Sequence, residues 1–226
     1  MIQHIAIVPD GNRRWAQLHG LSPLEGHQKG ADTMHRVVDY LASRGLKYLT
    51  LWGFSTDNWK RSPEEVENIF SVLEQWLDSH TEWAQKRGIR LRHIGQLQSL
   101  PEGLREAIRS ATNLTRDNKG LTLNVAFNYT GRTEILDAVR RLMDEKVPSH
   151  LVDESKFTSY LYTDGTPDVD LVIRTAGEYR ISNFLLWQSA YAEFYFTDVL
   201  WPDFNEEELE RALSEYPERQ RRFGGD

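Results

Sequence analysis

The stretch Ile5-Ala6-Ile7-Val8-Pro9-Asp10-Gly11-Asn12-Arg13-Arg14-Trp15 decides how the rest of the chain is read. An apolar run rich in β-branched residues reads as a buried strand. It breaks at Pro9 and the turn-forming Asp10-Gly11-Asn12, after which helix-compatible residues begin. In an open parallel α/β sheet, ligands gather beyond the carboxyl ends of the strands. Here that position carries a carboxylate, a permissive glycine, an amide and two guanidinium groups. Asp10 suits a hard cation such as Mg²⁺. Arg13 and Arg14 add positive charge where the start of a helix already favours phosphate. The plain alternative is a surface Asp-Gly turn followed by a solvated basic helix start.

Working outward, Arg13 to His19 forms a short helix that stops at Gly20. Ser22-Pro23-Leu24-Glu25 then supplies an N-cap, a proline at the first helical position and a glutamate three residues after the cap. That helix runs through Val37, Val38 and Leu41 to about Gly45, and Tyr48 to Phe54 is the next buried strand. Ser62-Pro63-Glu64-Glu65 repeats the capping pattern and opens a long helix striped with Val66, Ile69, Phe70, Leu73, Trp76 and Leu77. A strand at 89–94, a helix at 101–118, a strand at 121–127 and a helix at 133–146 follow. The segment 148–167 is the least periodic, with a short helix expected at 157–161. Then come a strand at 170–173, a helix at 181–191, a strand at 193–196 and a helix from Glu206 to about Arg221. Alternation of this kind, without repeat or linker, predicts an α/β fold. The expectation is a single domain over 1–226, with a central, mostly parallel sheet of about six strands flanked by helices.

Composition narrows the function classes. The 226 residues carry a net charge of −7 with 39% hydrophobic and 27% charged residues, ordinary for a globular protein and poor for nucleic-acid binding. There is no cysteine, hence no disulfide, thiolate nucleophile or thiolate metal site. Met1 leads directly into the first strand, so no secretory leader is expected. No apolar run reaches membrane-spanning length, and a cytoplasmic location follows, with at most a peripheral membrane contact.

Residues suited to phosphate or metal stand at nearly every strand end: Asp10 with Arg13 and Arg14, Ser55 with Asn58 and Arg61, Asn124 with Asn128 and Arg132, Arg174 with Arg180 and Ser182, and Glu193. A parallel sheet brings its carboxyl ends to one edge, where these groups make two phosphate-sized clusters. Asp10 and Glu193 among arginines suggest Mg²⁺ bridging phosphate oxygens. Taken singly, each arginine also reads as a surface ion pair. Gly-x-Gly-x-x-Gly and P-loop signatures are missing. His27 and His35 on one helix lie roughly 12 Å apart at 1.5 Å per residue, too far to share a metal; His27 reads as a phosphate donor or a satisfied boundary histidine. Ser55 and Ser182 lack a paired base, so nucleophilic catalysis is not expected. The apolar faces around Val37 and Phe70 read first as helix packing on the sheet. The alternative, a prenyl chain in the same groove, becomes credible only beside a diphosphate site.

The motifs are collinear with a known family. His4 to Ala16, Gly26-His27 with Gly30, Phe54 to Arg61, Leu123 to Arg132, Asp168 to Gln188, Ala190 to Pro202 and Arg221 to Gly225 together closely resemble the cis-prenyltransferases, the family of undecaprenyl diphosphate synthase. The resemblance implies a homodimeric, Mg²⁺-dependent enzyme with a hydrophobic tunnel between sheet and helices. Such an enzyme condenses isopentenyl diphosphate with an allylic diphosphate, farnesyl or geranyl, and makes a Z double bond at each addition. By resemblance Asp10 is the metal–diphosphate residue, with Glu193 near the metal. Gly11, Asn12, Arg13, Arg14, His27 and Arg61 fall to the allylic diphosphate, Arg174, Arg180 and Ser182 to isopentenyl diphosphate, and Trp15, Ser55 and Trp59 are further substrate-binding residues. Asn58 and Trp59 match a loop implicated in catalysis and closure, and Arg222-Phe223-Gly224 a segment that reaches the partner's active site.

The sequence departs from the family pattern at several positions. Pro9 stands where Met is common, and Ser22-Pro23 where many bacterial members carry an arginine for the allylic diphosphate, a contact either lost or taken over by Arg13. Ala176 replaces a usual Gly, Gln96 a common Asp, and Phe127 a smaller residue, either shortening the product from inside the tunnel or simply packing in the core. The default product is an undecaprenyl-like lipid carrier. The alternatives are a short-chain or branched-product synthase and a non-catalytic subunit that supports a catalytic partner.

Overall fold

The computed structural model describes residues 2–216. Its strands are β1 (His4–Val8), β2 (Tyr48–Ser55), β3 (Arg90–Ile94), β4 (Thr122–Tyr129), β5 (Leu171–Arg174) and β6 (Glu193–Phe196). They form one six-stranded sheet in the order β3-β4-β2-β1-β5-β6, and every pairing is parallel. The helices are α1 (Asn12–Leu18), α2 (Pro23–Ser43), α3 (Pro63–Lys86), α4 (Glu102–Thr115), α5 (Gly131–Asp144), α6 (Glu154–Thr158) and α7 (Glu206–Glu215). Among the described residues no helix is long and apolar enough to cross a membrane.

The first strand sits inside the sheet because both of its faces can be buried: Ile5, Ala6 and Ile7 are wholly inaccessible. Its register places Val8 opposite Arg174 of β5, so the loops that follow β1 and β5 leave the sheet side by side. The helix starts form as their sequence dictates. Ser22 accepts from the Glu25 amide at 3.3 Å while Glu25 accepts from the Ser22 amide at 2.7 Å, and Ser62 accepts from the Glu65 amide at 3.3 Å. The main core lies between one sheet face and α2, α3 and α4, and contains Val37, Val38, Leu41, Phe70, Trp76 and Leu104. Each such side chain contributes about 1.5–3 kcal/mol by leaving water. A smaller core on the opposite face holds Ala6, Val8, Tyr129, Val172, Phe184 and Leu185.

Four expected elements are corrected. The segment 181–191 is a series of turns, not a helix. Ser182, Asn183 and Leu185 take left-handed φ values of 48°, 69° and 43°, which L-residues cannot propagate into a helix. The apolar content that suggested one is spent on burying Phe184 and Leu185 beneath the sheet. The short helix near 157 starts earlier, at Glu154, because Asp153 accepts from the Lys156 amide at 2.7 Å and caps it there. Strand β4 continues two residues past Phe127, and α5 begins at Gly131 rather than Thr133. The continuation of α7 toward Arg221 and the Arg222-Phe223-Gly224 segment lie outside the described residues.

Helices α1 and α2 approach closely through two glycines. A Cβ on Gly26 would stand 2.4 Å from the Asn12 carbonyl oxygen, and one on Gly30 2.6 Å from Asn12 Oδ1. Alanine is the better helix former by about 1 kcal/mol, but the backbone contact cannot yield as a flexible side chain would. Gly26→Ala is therefore expected to destabilise the protein by about 1–3 kcal/mol, read as a lower urea midpoint with an unchanged m-value.

Candidate active site

The parallel register brings Asp10 and Arg174 together although they are far apart in sequence. Arg174 Nη2 donates to Asp10 Oδ2 at 2.9 Å, and its Nη1 donates to Ser182 Oγ at 2.7 Å and to the Arg180 carbonyl at 2.6 Å. Arg174 is only 4% exposed, so its charge needs this carboxylate; its Nε has no partner. The Asp10 backbone is clamped by one hydroxyl. Thr175 Oγ1 accepts from the Asp10 amide and donates to the Asp10 carbonyl, each at 2.8 Å. Gly11 turns the chain with a φ of 105°, donates its amide to Asp10 Oδ1 at 2.8 Å and has no room for a Cβ beside Leu200.

A second polar cluster lies across the mouth, on α1, α2 and the loop after β2. Asn12 Nδ2 donates to His27 Nδ1 at 3.4 Å, which leaves the imidazole proton on Nε2, 3.9 Å from Glu65 Oε1. Glu65 also accepts from Arg61 Nη1 at 2.9 Å and faces Arg13 at 3.6 Å. Burial first, then the Arg61 charge, pushes the His27 pKa down to about 4 against the opposing pull of Glu65. His27 is thus a neutral donor near pH 7. Ser55 and Asn58 cap the 3₁₀ turn Thr56–Lys60 reciprocally: Ser55 Oγ accepts from the Asp57 amide at 3.1 Å, and Asn58 Oδ1 from the Ser55 amide at 2.9 Å.

Beneath this rim lies a cavity of about 430 Å³. Asp10, Gly11, Asn12, Arg13, Arg14, His27, Ser55, Asn58, Arg61, Arg174 and Ser182 all border it. Its deeper wall is apolar, formed by Leu51 and Phe54 of β2, Met34 of α2, Ile69, Leu73 and Trp76 of α3, and Phe127 of β4. Phe127 is both core and wall, since it packs against Phe54 and Phe70 at ring distances of 5.3 and 5.7 Å.

Several expected site residues are placed elsewhere. Glu193 opens β6 and registers with Leu171, three positions, or about 10 Å of strand rise, before the level of Arg174, whereas Asp10 lies beyond that level. Within one chain, then, the two carboxylates cannot share an ion. Trp15 stacks on His19 at 4.2 Å and donates Nε1 to Asp203 at 2.8 Å, a packing role. Trp59 donates Nε1 to Asn128 at 2.8 Å, and the Arg180 guanidinium pairs with Glu178; neither residue borders the cavity. Arg13 is at the mouth, while Ser22 is occupied as a cap. Ala176 carries a glycine-like φ of 72°, and Gln96 holds Asp137 at 3.2 Å.

The sequence reading missed the role of Glu65, seen only as a helix-start residue. Its position four residues after Arg61 on a capped helix was the available signal for their pairing. It also missed Glu178, which faces Arg14 at 3.7 Å and pairs with Arg180.

Among the described residues no group of three or more His, Cys, Asp or Glu side chains is arranged to hold a metal. Asp10 alone, with a part-exposed carboxylate at the mouth, fits a cation that takes one protein carboxylate and completes its shell with water and substrate phosphate oxygens.

Comparison with known proteins identifies the family. The sequence profile of the family described as "Putative undecaprenyl diphosphate synthase" matches residues 8–224. An isoprenyl transferase of Fusobacterium nucleatum is 46% identical over 99% of this chain and 96% of its own length. One from Thermotoga maritima is 45% identical over 99% and 97%. Among solved structures, lavandulyl diphosphate synthase from Lavandula x intermedia, in complex with dimethylallyl diphosphate, superposes with a TM-score of 0.94 at 38% identity, covering 99% of this chain and 98% of that one. A probable undecaprenyl diphosphate synthase from Campylobacter jejuni gives 0.84 at 35%, covering 99% of each.

The depressed His27 pKa fixes the sign of a pH effect. The unfolded chain takes up a proton near pH 6.5 that the folded protein refuses until about 4, so stability falls as pH drops through that window. The ceiling is about 3 kcal/mol. His4 and His93, also lowered to about 4 by burial, act in the same direction. His27→Gln is expected to flatten the dependence by up to one proton's worth, read from urea midpoints across pH 4 to 7.

Proposed function

The chain belongs to the undecaprenyl diphosphate synthase family and is a prenyltransferase, and on that premise we propose that it condenses isopentenyl diphosphate with an allylic diphosphate, farnesyl or geranyl, to give a Z-polyprenyl diphosphate. The observation that carries this reading is a polar rim with two cationic clusters set directly above an apolar cavity. One cluster, Arg13, Arg61, His27 and Asn12, receives the allylic diphosphate. The other, Arg174 with Ser182, receives isopentenyl diphosphate, and Arg180 joins them on exchanging its Glu178 partner for the phosphate. The growing chain lies along Phe54, Leu73 and Trp76.

Ionisation of the allylic C–O bond puts negative charge on the departing diphosphate. Fixed guanidinium groups and the neutral His27 donor stabilise that charge without reorganising. Arg174, held by Asp10 and Ser182, orients the second substrate so that its alkene meets the allylic cation. The apolar wall excludes water, which would otherwise capture the cation. Asp10 would hold Mg²⁺, which when bound adds neutralisation of the diphosphate charge. Asn58 keeps the loop over the mouth in shape through its bond to Ser55.

We assign an undecaprenyl-like carrier as the default product. A second reading, a short or branched product, is favoured by one observation: Phe127 puts a phenyl ring in the wall of the cavity. We further infer a homodimer, because α5 exposes Leu136, Val139 and Met143 at helical spacing. The enzyme works in the cytoplasm, with a peripheral membrane contact when product leaves.

Incubation with farnesyl and isopentenyl diphosphates and Mg²⁺, followed by product mass, tests both readings. A long Z-chain supports the first; a product stopping after one or two additions selects the second; no turnover makes the chain a non-catalytic subunit. Asp10→Ala is expected to cost about a hundredfold or more in kcat with the fold retained, as removal of a group serving transition-state charge does, and to lower the urea midpoint as well because Arg174 loses its partner. Chelation of divalent metal should abolish turnover reversibly, and unchanged activity in either case refutes the metal assignment. Light scattering should return twice the mass of one chain.

A further inference from the structure

The loop after β5 carries Arg180 and Ser182 in a conformation for which local turn bonds, such as that from the Phe184 amide to the Ile181 carbonyl at 3.0 Å, do not by themselves account. Ser182, Asn183 and Leu185 all have left-handed φ values, between 43° and 69°. Of the three types, only Asn tolerates that region readily. Besides the bonds from Arg174, what holds the loop is the start of α5. Its capping position, Thr130, makes no side-chain bond to the helix amides. Those amides are instead satisfied from outside: Gly131 donates to the Asn183 carbonyl at 2.7 Å and Arg132 to Asn183 Oδ1 at 2.9 Å. Gly131 is needed for the approach, because a Cβ there would meet Leu186 Cγ at 2.9 Å and the Asn183 oxygen at 3.2 Å.

We propose that Asn183 is a positioning residue for the second diphosphate substrate. It pins the loop to the first turn of α5 and thereby fixes Ser182, whose Oγ accepts from Arg174 at 2.7 Å. The line of contact runs from a rigid helix end through Asn183 and Ser182 to the Arg174 guanidinium, and from there to Asp10. Asn183 touches none of the reacting groups. Its side chain both caps a helix and permits the backbone turn, two duties that alanine cannot perform and glycine can only half perform. Among the described residues Asn12, Arg13, His27 and Arg61 bond to one another and to Glu65, and not to Asn183, Ser182 or Arg174. Loss of Asn183 therefore loosens first the grip on the substrate that Arg174 and Ser182 hold. The inference rests on the assignment of Arg174 and Ser182 to isopentenyl diphosphate.

Steady-state kinetics of the full-length enzyme with each substrate varied in turn provide the test. Asn183→Gly keeps the left-handed backbone and deletes the cap; Asn183→Ala is the second variant, and Asn183→Asp retains both turn and acceptor. For Gly and Ala the KM for isopentenyl diphosphate is expected to rise about tenfold, while the KM for farnesyl diphosphate stays within about twofold, the size set by losing one hydrogen bond. Asp restores the first KM to within about twofold of the parent. A merely structural residue would lower the melting temperature and kcat with no split between the two KM values, and that result overturns the proposal. Arg174→Ala is the control. If it leaves the KM for isopentenyl diphosphate unmoved, the site assignment fails and the inference falls with it; if it raises that KM and the Asn183 variants do not, the inference alone fails.

Discussion

A buried guanidinium and the carboxylate that compensates it hold this site together. Arg174 is almost wholly removed from water, and a charge in that position persists only if a partner of opposite sign is fixed beside it. Asp10 is that partner because β1 and β5 are adjacent and parallel, with Val8 in register with Arg174. A one-residue slip would turn Arg174 to the other face of the sheet and leave both ions unpaired. Sheet order, register and the clamp of Thr175 on the Asp10 backbone thus serve one contact, and that contact gives the polar rim its shape.

The second cluster solves a different electrostatic problem. Two arginines crowd the mouth of a cavity with an apolar depth, and without an anion they would repel one another. Glu65 supplies the missing negative charge from the first turn of α3, and Glu178 does the same for Arg14 and Arg180. Burial keeps His27 neutral, so it donates a hydrogen bond without adding to the repulsion. The mouth therefore holds its cations in fixed positions, each against an internal carboxylate.

The apolar cavity and the polar rim come from the same helices. In α3, Glu65 faces the rim while Ile69, Leu73 and Trp76 line the depth, so one rigid rod aligns head-group chemistry with hydrocarbon packing. Phe127 closes part of that wall from the sheet side, resting over Gly53, where a Cβ would come within 2.9 Å of its ring. The depth of the cavity is therefore a matter of how a few aromatic rings pack.

Much of this was legible in the order of residues. Apolar runs bounded by Pro and Gly marked the strands, Ser-Pro-x-Glu marked the starts of α2 and α3, and strict alternation implied parallel strands with their carboxyl ends at one edge. These signals are local: they depend on propensity, capping and period, which a short window contains. What the sequence could not contain was the level of each residue along the sheet, so Glu193 read like Asp10 although it opens its strand where Asp10 follows one. Nor did it reveal that 181–191 would turn rather than coil, since the partners that stabilise its left-handed residues lie on α5. By itself the sequence determined most of the elements and the sheet type, because those follow from neighbours in the chain; the tertiary structure alone decided which charges meet, because register and burial join residues that no local signal connects.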